Sequence, residues 1–347
     1  MSPLFILSLA WQLLKTHLGR PVPIFCEYEI TYRCNLNCSF CSQQRFAHEW
    51  EPELSCEQAK AIISQLYSAG TRLMNMSGGE PSLRPDFIEI AQHARNLGIF
   101  ISLNTNGYLI DEAMAQKMTA FHMVRVSIDG NGQLHDRLRR HPGSFARAVS
   151  AIKLLKKNGV RVMINSVITN SHSHQDLREI AELARSLDVQ VSFSAAEASA
   201  SAARTQTRDF IDGLLADGRM HPATAALLIR SLHSEFSESV VNDSIYIETL
   251  EKSDANPGRC RVLDTSIALK PDGSFAFPCN DFPIFPMRSS DCEALFNSVE
   301  VKRIRADLGT YWFCERCTSR CSVYPNKLAQ PFGIISLARS WAKVLFS

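Results

Sequence analysis

Cys34-Asn35-Leu36-Asn37-Cys38-Ser39-Phe40-Cys41 is the stretch from which the rest of the chain becomes readable. Thiols at the spacing C-x3-C-x2-C can grip three corners of a cubane [4Fe–4S] cluster and leave the fourth iron without a protein ligand. An iron held that way is open to a small molecule, which turns an electron carrier into a reactive centre. The competing reading is a zinc site or a group of buried thiols. A structural zinc site needs a fourth ligand nearby, and His48 is the only local candidate.

Around this loop, strand-like runs alternate with amphipathic helical patterns from residue 24 to about residue 194. The strand candidates are Ile24–Tyr32, Leu73–Ser77, Phe100–Thr105, Val124–Ile128, Arg161–Ile168 and Val189–Phe193. Between the first two, Ser55 and Gln58 form a capping box. Ala59, Ile62, Ile63, Leu66 and Tyr67 then recur at helical spacing, and Gly70 closes the helix. Pro85 suits a first helical position, with Phe87, Ile90, Ala91, Ala94 and Leu97 on one face and Gly98 as the stop. Leu177, Ile180, Ala181, Ala184 and Leu187 repeat the pattern before the sixth strand.

Six β-then-α steps imply a parallel sheet with right-handed crossovers. They are too few for a closed eight-stranded barrel, so the expected fold class is α/β, a partial (β/α)6 TIM-like barrel open on one side. In such folds chemistry gathers at the C-terminal ends of the strands, and the cysteine loop falls there, directly after the first.

The expected organisation is an N-terminal apolar helix over 1–23, the barrel core over 24–200, a helical connector over 201–258 and a small cysteine-rich α+β region over 259–328. A C-terminal amphipathic helix over 329–347 follows. Ala195–Ala203, all small residues apart from one glutamate, marks the domain seam. The connector pattern rests on Phe210, Leu214 and Leu215, then Leu227, Leu228 and Leu232. Leu269–Ser274 reads as a strand and turn leading into Phe275–Cys279.

The formal charge of +2 gives no broad basic field, so bulk electrostatic binding to nucleic acid is not expected. Eight of the 11 cysteines fall in two groups with metal-ligand spacing rather than a disulfide framework, and Cys26, Cys56 and Cys292 are scattered. Thiols that must stay reduced to hold iron point to the cytosol. Leu4–Leu14 is apolar but shorter than the about 20 residues needed to span a bilayer, and it lacks the basic start and cleavage site of a signal peptide. Ile334, Leu337, Ala338, Trp341 and Leu345 share one helical face. These two terminal helices either pack on the domain or rest on a membrane surface.

The cysteine triplet, with Phe40 before its third member, resembles the signature of the radical S-adenosylmethionine (radical SAM) family. Ser77-Gly78-Gly79-Glu80-Pro81, after the second strand, resembles that family's motif for the amino group of SAM. The resemblance implies further cofactor contacts from Phe40, from Asn106 after strand three, from Ser127 ending strand four and from Asn165 on strand five. Arg139 would pair with the methionine carboxylate, a task that suits a guanidinium fork. His135 is expected to stabilise local structure.

A second group, Cys260, Cys279, Cys314, Cys317 and Cys321, with Gly273 between the first two, resembles the accessory region called SPASM and its shortened form, twitch. The interval from Gly273 to Cys279 is one residue longer than that family's usual one. Five thiols suffice for one auxiliary [4Fe–4S] cluster. The implied ligands are Cys260, Cys279, Cys314 and Cys317, leaving Cys321 spare. A zinc knuckle at Cys314–Cys321 is the alternative.

What the resemblance implies is an enzyme that reductively cleaves SAM at the open iron to methionine and a 5′-deoxyadenosyl radical, which takes a hydrogen atom from substrate. A one-electron donor such as flavodoxin or ferredoxin would supply the electron, and the auxiliary cluster would assist. The expected substrate is a small molecule or lipid precursor, towards which the apolar termini tilt the reading. The alternative is a ribosomal peptide or protein side chain. Against that stand the few residues before Cys34, too short for the leader-binding domain that such enzymes often carry. A zinc-stabilised interaction protein without catalytic activity is the third reading.

Overall fold

A computed structural model describes residues 3–41, 52–196, 220–252, 259–314, 317 and 319–328. His48, most of the expected seam, Phe210, Leu214 and Leu215, the C-terminal stretch from Ile334 and the side chain of Cys321 lie outside the described residues.

Seven parallel strands form one sheet: β1 (Phe25–Thr31), β2 (Leu73–Gly78), β3 (Phe100–Thr105), β4 (Met123–Ser127), β5 (Val162–Ile168), β6 (Gln190–Ala195) and β7 (Ser266–Leu269). Their order is β6-β5-β4-β3-β2-β1-β7, the curled parallel sheet of a partial TIM barrel. The first six match the expected strands to within two residues at each end. The seventh was not expected in this sheet. It pairs with β1 from Phe25↔Ser266 to Tyr28↔Leu269, so the region expected to be separate extends the barrel by one strand. Its sequence, Ser-Ile-Ala-Leu, is too short to announce itself as a barrel strand.

Along each strand successive side chains take opposite faces. On β1 Cys26, Tyr28 and Ile30 are fully buried beneath the helices, and Met74, Met76, Ile101, Leu103, Val124 and Val126 continue that layer. The helices over it are α1 (Pro3–His17), α2 (Cys56–Ala69), α3 (Phe87–Asn96), α4 (Glu112–Lys117), α5 (Gly132–Arg139), α6 (Ser144–Lys157) and α7 (His174–Ser186). The Ser55–Gln58 capping box opens α2, and Gly70 closes it in the left-handed conformation, φ 117°. Helix α3 starts two residues later than Pro85 suggested, with Asp86 before it. Arg84 pins this corner by donating to Ile30 O, Leu54 O and the Asp86 carboxylate, which holds the chain in a turn until Phe87.

Helix α1 crosses the N-terminal end of the barrel. Phe5 meets Phe100 at the start of β3, Ser8 accepts from Arg72 just before β2 at 2.6 Å, and Gln12 is buried. At the β6 edge, α8 (Pro222–Glu235) and α9 (Ser244–Glu251) close the sheet. Asn242 bonds both the N–H and C=O of Phe193, and Ala195 N donates to the Tyr246 hydroxyl. An exposed strand edge is thereby covered. No described helix is long and apolar enough to cross a membrane.

Candidate active site

The cysteine loop leaves the C-terminal end of β1 and is anchored at its base by Glu53, which accepts from Thr31 Oγ1 (2.6 Å) and Tyr32 N (3.1 Å) and pairs with Arg33. Within the loop Leu36 N–H points at Cys34 Sγ (3.5 Å), Cys41 N donates to Cys38 O, and Ser39 N donates to Leu138 O at the end of α5. The β2 loop lies directly on this turn: Gly79 N donates to Thr31 O at 2.8 Å and Glu80 N to Arg33 O at 2.7 Å. A Cβ on Gly79 would sit 2.1 Å from Arg33 O, and one on Gly78 2.4 Å from Thr31 O. Only glycines let the two backbones meet there.

Glu80 is almost fully buried. Its carboxylate accepts from Ser82 N, Ser82 Oγ, Thr105 Oγ1 and Asn106 N, all within 3.1 Å. These four donors tie the β2 and β3 loops together through it. Asn106 in turn donates to Asn35 Oδ1 at 2.8 Å. The Asn35 amide nitrogen, next to Cys34, is buried with no protein acceptor.

Arg139 stands between a carboxylate and a cysteine. It donates to Asp129, a fully buried carboxylate, through Nε (2.7 Å) and Nη2, and its Nη1 lies 3.7 Å from Cys38 Sγ. Its guanidinium stands 5.4 Å from the Phe40 ring centre. Asp129 also accepts from Val167 N, and the Asp129 carbonyl faces His172 Nε2. His135 Nδ1 accepts from Asp129 N, and burial depresses its pKa to about 4, so it is a neutral structural acceptor as expected. Ser127, the last residue of β4, is the register partner of Asn165 in the middle of β5, and both are half-buried.

Burial pushes the Cys34 thiol up to about 12, with Glu80, Cys38 and Cys41 adding to the rise. Burial raises Cys38 too, and the Arg139 charge pulls it back. The three thiols therefore feel one another. Among the described residues, donors within 4.8 Å of one another, as one ion requires, are Cys56, Glu57 and Glu89 rather than this triplet. Lys60 already bridges those two carboxylates. The three thiols, the glycine contact and the unpartnered Asn35 amide fit a cluster with a small polar molecule beside it.

Below the mouth the inner face of the sheet is polar. Glu27 accepts from Asn75 Nδ2 (2.9 and 3.1 Å) and from Ser77 Oγ; Ser102 and Arg125 donate to Asn75 Oδ1. Burial raises the Glu27 pKa to about 7, with Ser77 and Asn75 opposing. Glu29 pairs with Lys270 at 2.9 Å, both nearly buried, and Lys270 reaches on to Asn280. Asn104 Oδ1 is buried without a donor. Apart from Ser77, the sequence reading gave none of these residues a role. Their signal was charge at alternate positions of otherwise apolar strands, Glu27 and Glu29 in FCEYEIT and Arg125 in MVRVS.

The C-terminal thiols also draw together. Cys279 is raised by burial, then by Asp281, Cys317 and Cys260; Cys260 rises to about 11 through burial and Cys314. Cys317 N donates to Cys314 O in a tight turn. Tyr311, Phe313 and Phe282 stack beside them.

Residues 28–184 match the family model of the Radical SAM superfamily. Over 168 residues the chain is 34% identical to an AdoMet-dependent heme synthase of Methanosarcina barkeri, covering 48% of each protein. Over 167 residues it is 30% identical to a PqqA peptide cyclase of Ruegeria pomeroyi, covering 47% of this chain and 44% of that one. The match spans about half the length of these curated relatives. The crystal structure of Streptococcus suis SuiB bound to precursor peptide SuiA shares the fold, with a TM-score of 0.67 and 16% identity over 91% of this chain and 75% of that one.

Proposed function

We propose that this chain, which carries a radical SAM domain over residues 28–184, abstracts hydrogen from a polar, amide-bearing substrate seated in the barrel lumen, best matched by a peptide segment. Cys34, Cys38 and Cys41 would hold the cluster, and Gly78 and Gly79 leave backbone groups within reach of a ligand beside it. Ser77, Asn106, Ser127, Asn165 and Phe40 rim the same mouth, with Glu80 fixing the loops and Arg139 facing Cys38. When bound, the cluster and SAM supply one-electron cleavage and a hydrogen-abstracting radical. Cys260, Cys279, Cys314 and Cys317 would hold a second cluster. A flavodoxin or ferredoxin in the cytosol would be the electron source.

The observation that carries the substrate reading is the lumen. Its wall offers carboxylates, amides, hydroxyls and a guanidinium, including the unpartnered Asn104 acceptor. A lipid tail would leave the Asn104 oxygen unsatisfied, at about 1–3 kcal/mol, and would lie against a charged and polar wall, whereas a peptide brings one donor and one acceptor per residue. The lumen thus favours the alternative in the sequence reading over a lipid precursor. Comparing the peptides and metabolites of strains with and without the gene tests this. A modified peptide present only with the gene is expected, and a change confined to the lipid fraction would refute it.

A further inference from the structure

We propose that helix α1 docks the protein on an anionic bilayer surface, with the barrel mouth turned to the aqueous side. Leu4, Leu7, Trp11, Leu14 and Leu18 follow one another at intervals of three and four residues and so form one face of the helix. They are between 45 and 78% exposed, in contrast to the buried Gln12 and the packed Phe5 and Ser8 of the other face.

The charge of the helix's own segment has one sign. The first acidic residue of the chain is Glu27, whereas Lys15, His17 and Arg20 flank the helix end. Lys15 Nζ lies 5.6 Å from the Trp11 ring, at the border of the stripe. A tryptophan and leucines on one side with lysine and arginine at the edge is the composition of a helix lying in the headgroup region, and anionic lipid attracts such cations.

A second copy of the chain is the rival occupant, because the same spacing makes a coiled-coil seam. Fully covered, the five side chains would bury roughly 1,200 Å² over two copies, only the lower limit of a stable interface. The helix also has no acidic residue to pair with Lys15 across such a seam.

The buried side of α1 rests on Arg72 and Phe100, at the N-terminal ends of β2 and β3. The cysteine loop lies at the opposite ends of the strands. Contact through α1 therefore points the mouth away from the bilayer, and substrate and electron donor arrive from water.

The full chain is to be sedimented with vesicles of phosphatidylcholine containing about one third phosphatidylglycerol, and with phosphatidylcholine alone. Binding to the anionic vesicles that weakens several-fold in high salt or without phosphatidylglycerol is expected. L7E/W11E, at exposed positions with an unchanged circular dichroism spectrum, should bind about tenfold or more weakly. K15Q/R20Q should lose the preference for anionic lipid. An intact protein that stays in the supernatant overturns the proposal, as does undiminished binding by L7E/W11E. Dimerisation in light scattering that L7E/W11E abolishes also overturns it, in favour of the second copy.

Discussion

The two groups of thiols sit in different surroundings, and on the proposed reading they serve different purposes. The first offers three sulfurs, a guanidinium 3.7 Å from one of them, and a polar lumen below. The second offers four that sense one another, with Asp281 beside Cys279 and three stacked rings alongside. A three-sulfur set with polar surroundings leaves one corner to a ligand, and a four-sulfur set walled by rings closes on itself. Ligand count and neighbouring polarity, more than the cysteines as such, separate a reactive centre from a supporting one.

Removing one thiol from each side tests this most severely. Cys38→Ala should reduce 5′-deoxyadenosine formation to background. Cys279→Ala should lower iron content by roughly half while SAM cleavage without substrate persists. Iron assay and product chromatography on anaerobically prepared protein read both. Equal loss of SAM cleavage in the two variants would mean that the groups form one functional unit, and unchanged iron in C279A would mean that its ligand set is misassigned.

Arg139 sharpens the contrast, since it is the cation facing a thiol at the first site. Substitution to methionine alone would strand buried Asp129, at about 3–5 kcal/mol, so the informative variant is R139M/D129N. The variant keeps the net charge but removes the nearer charge and an N–H from the Cys38 sulfur, which should move the cluster's midpoint potential negative, and activity should fall about 10- to 100-fold. If Arg139 serves the SAM carboxylate instead, the variant raises the KM for SAM and leaves the potential in a redox titration unmoved.

The sequence was most informative where chemistry requires fixed spacing. Three cysteines on one turn, two glycines under a neighbouring loop and the Ser55–Gln58 box are local features, and all lie where the spacing put them. What depends on contacts far apart in the chain was not legible. Strand β7 joins β1 across more than two hundred residues, through only four paired positions. Glu80 and Arg139 are the instructive cases. Residue type and position suggested ligand contacts, and gave no sign of the internal partners, the donors from Ser82, Thr105 and Asn106 around Glu80 and Asp129 against Arg139. Competition from such internal partners is invisible until the strand ends are brought side by side.

The smallest expected effect concerns Glu27, and it asks whether the polarity beneath the first site exists for function or for folding. Its carboxyl is raised to about 7 by burial, above the ordinary value that it has in the unfolded chain. The folded state thus binds the proton more tightly, its advantage is complete below about pH 4.5, and it is lost as pH rises through 7. At pH 8 the charge is held at a cost that Glu27→Gln removes. The glutamine must set its own NH2 against Asn75 Nδ2, which takes back part of the gain. A net stabilisation of about 1–2 kcal/mol at pH 8, vanishing towards pH 4.5, is expected from denaturant titrations. Substrate-dependent turnover should fall in the same variant. A residue that lowers stability while supporting turnover is retained for the reaction. Equal stability of both proteins at pH 8 would mean that Glu27 is hydrated as in bulk water, and the lumen would then be no dry polar wall for a substrate to replace.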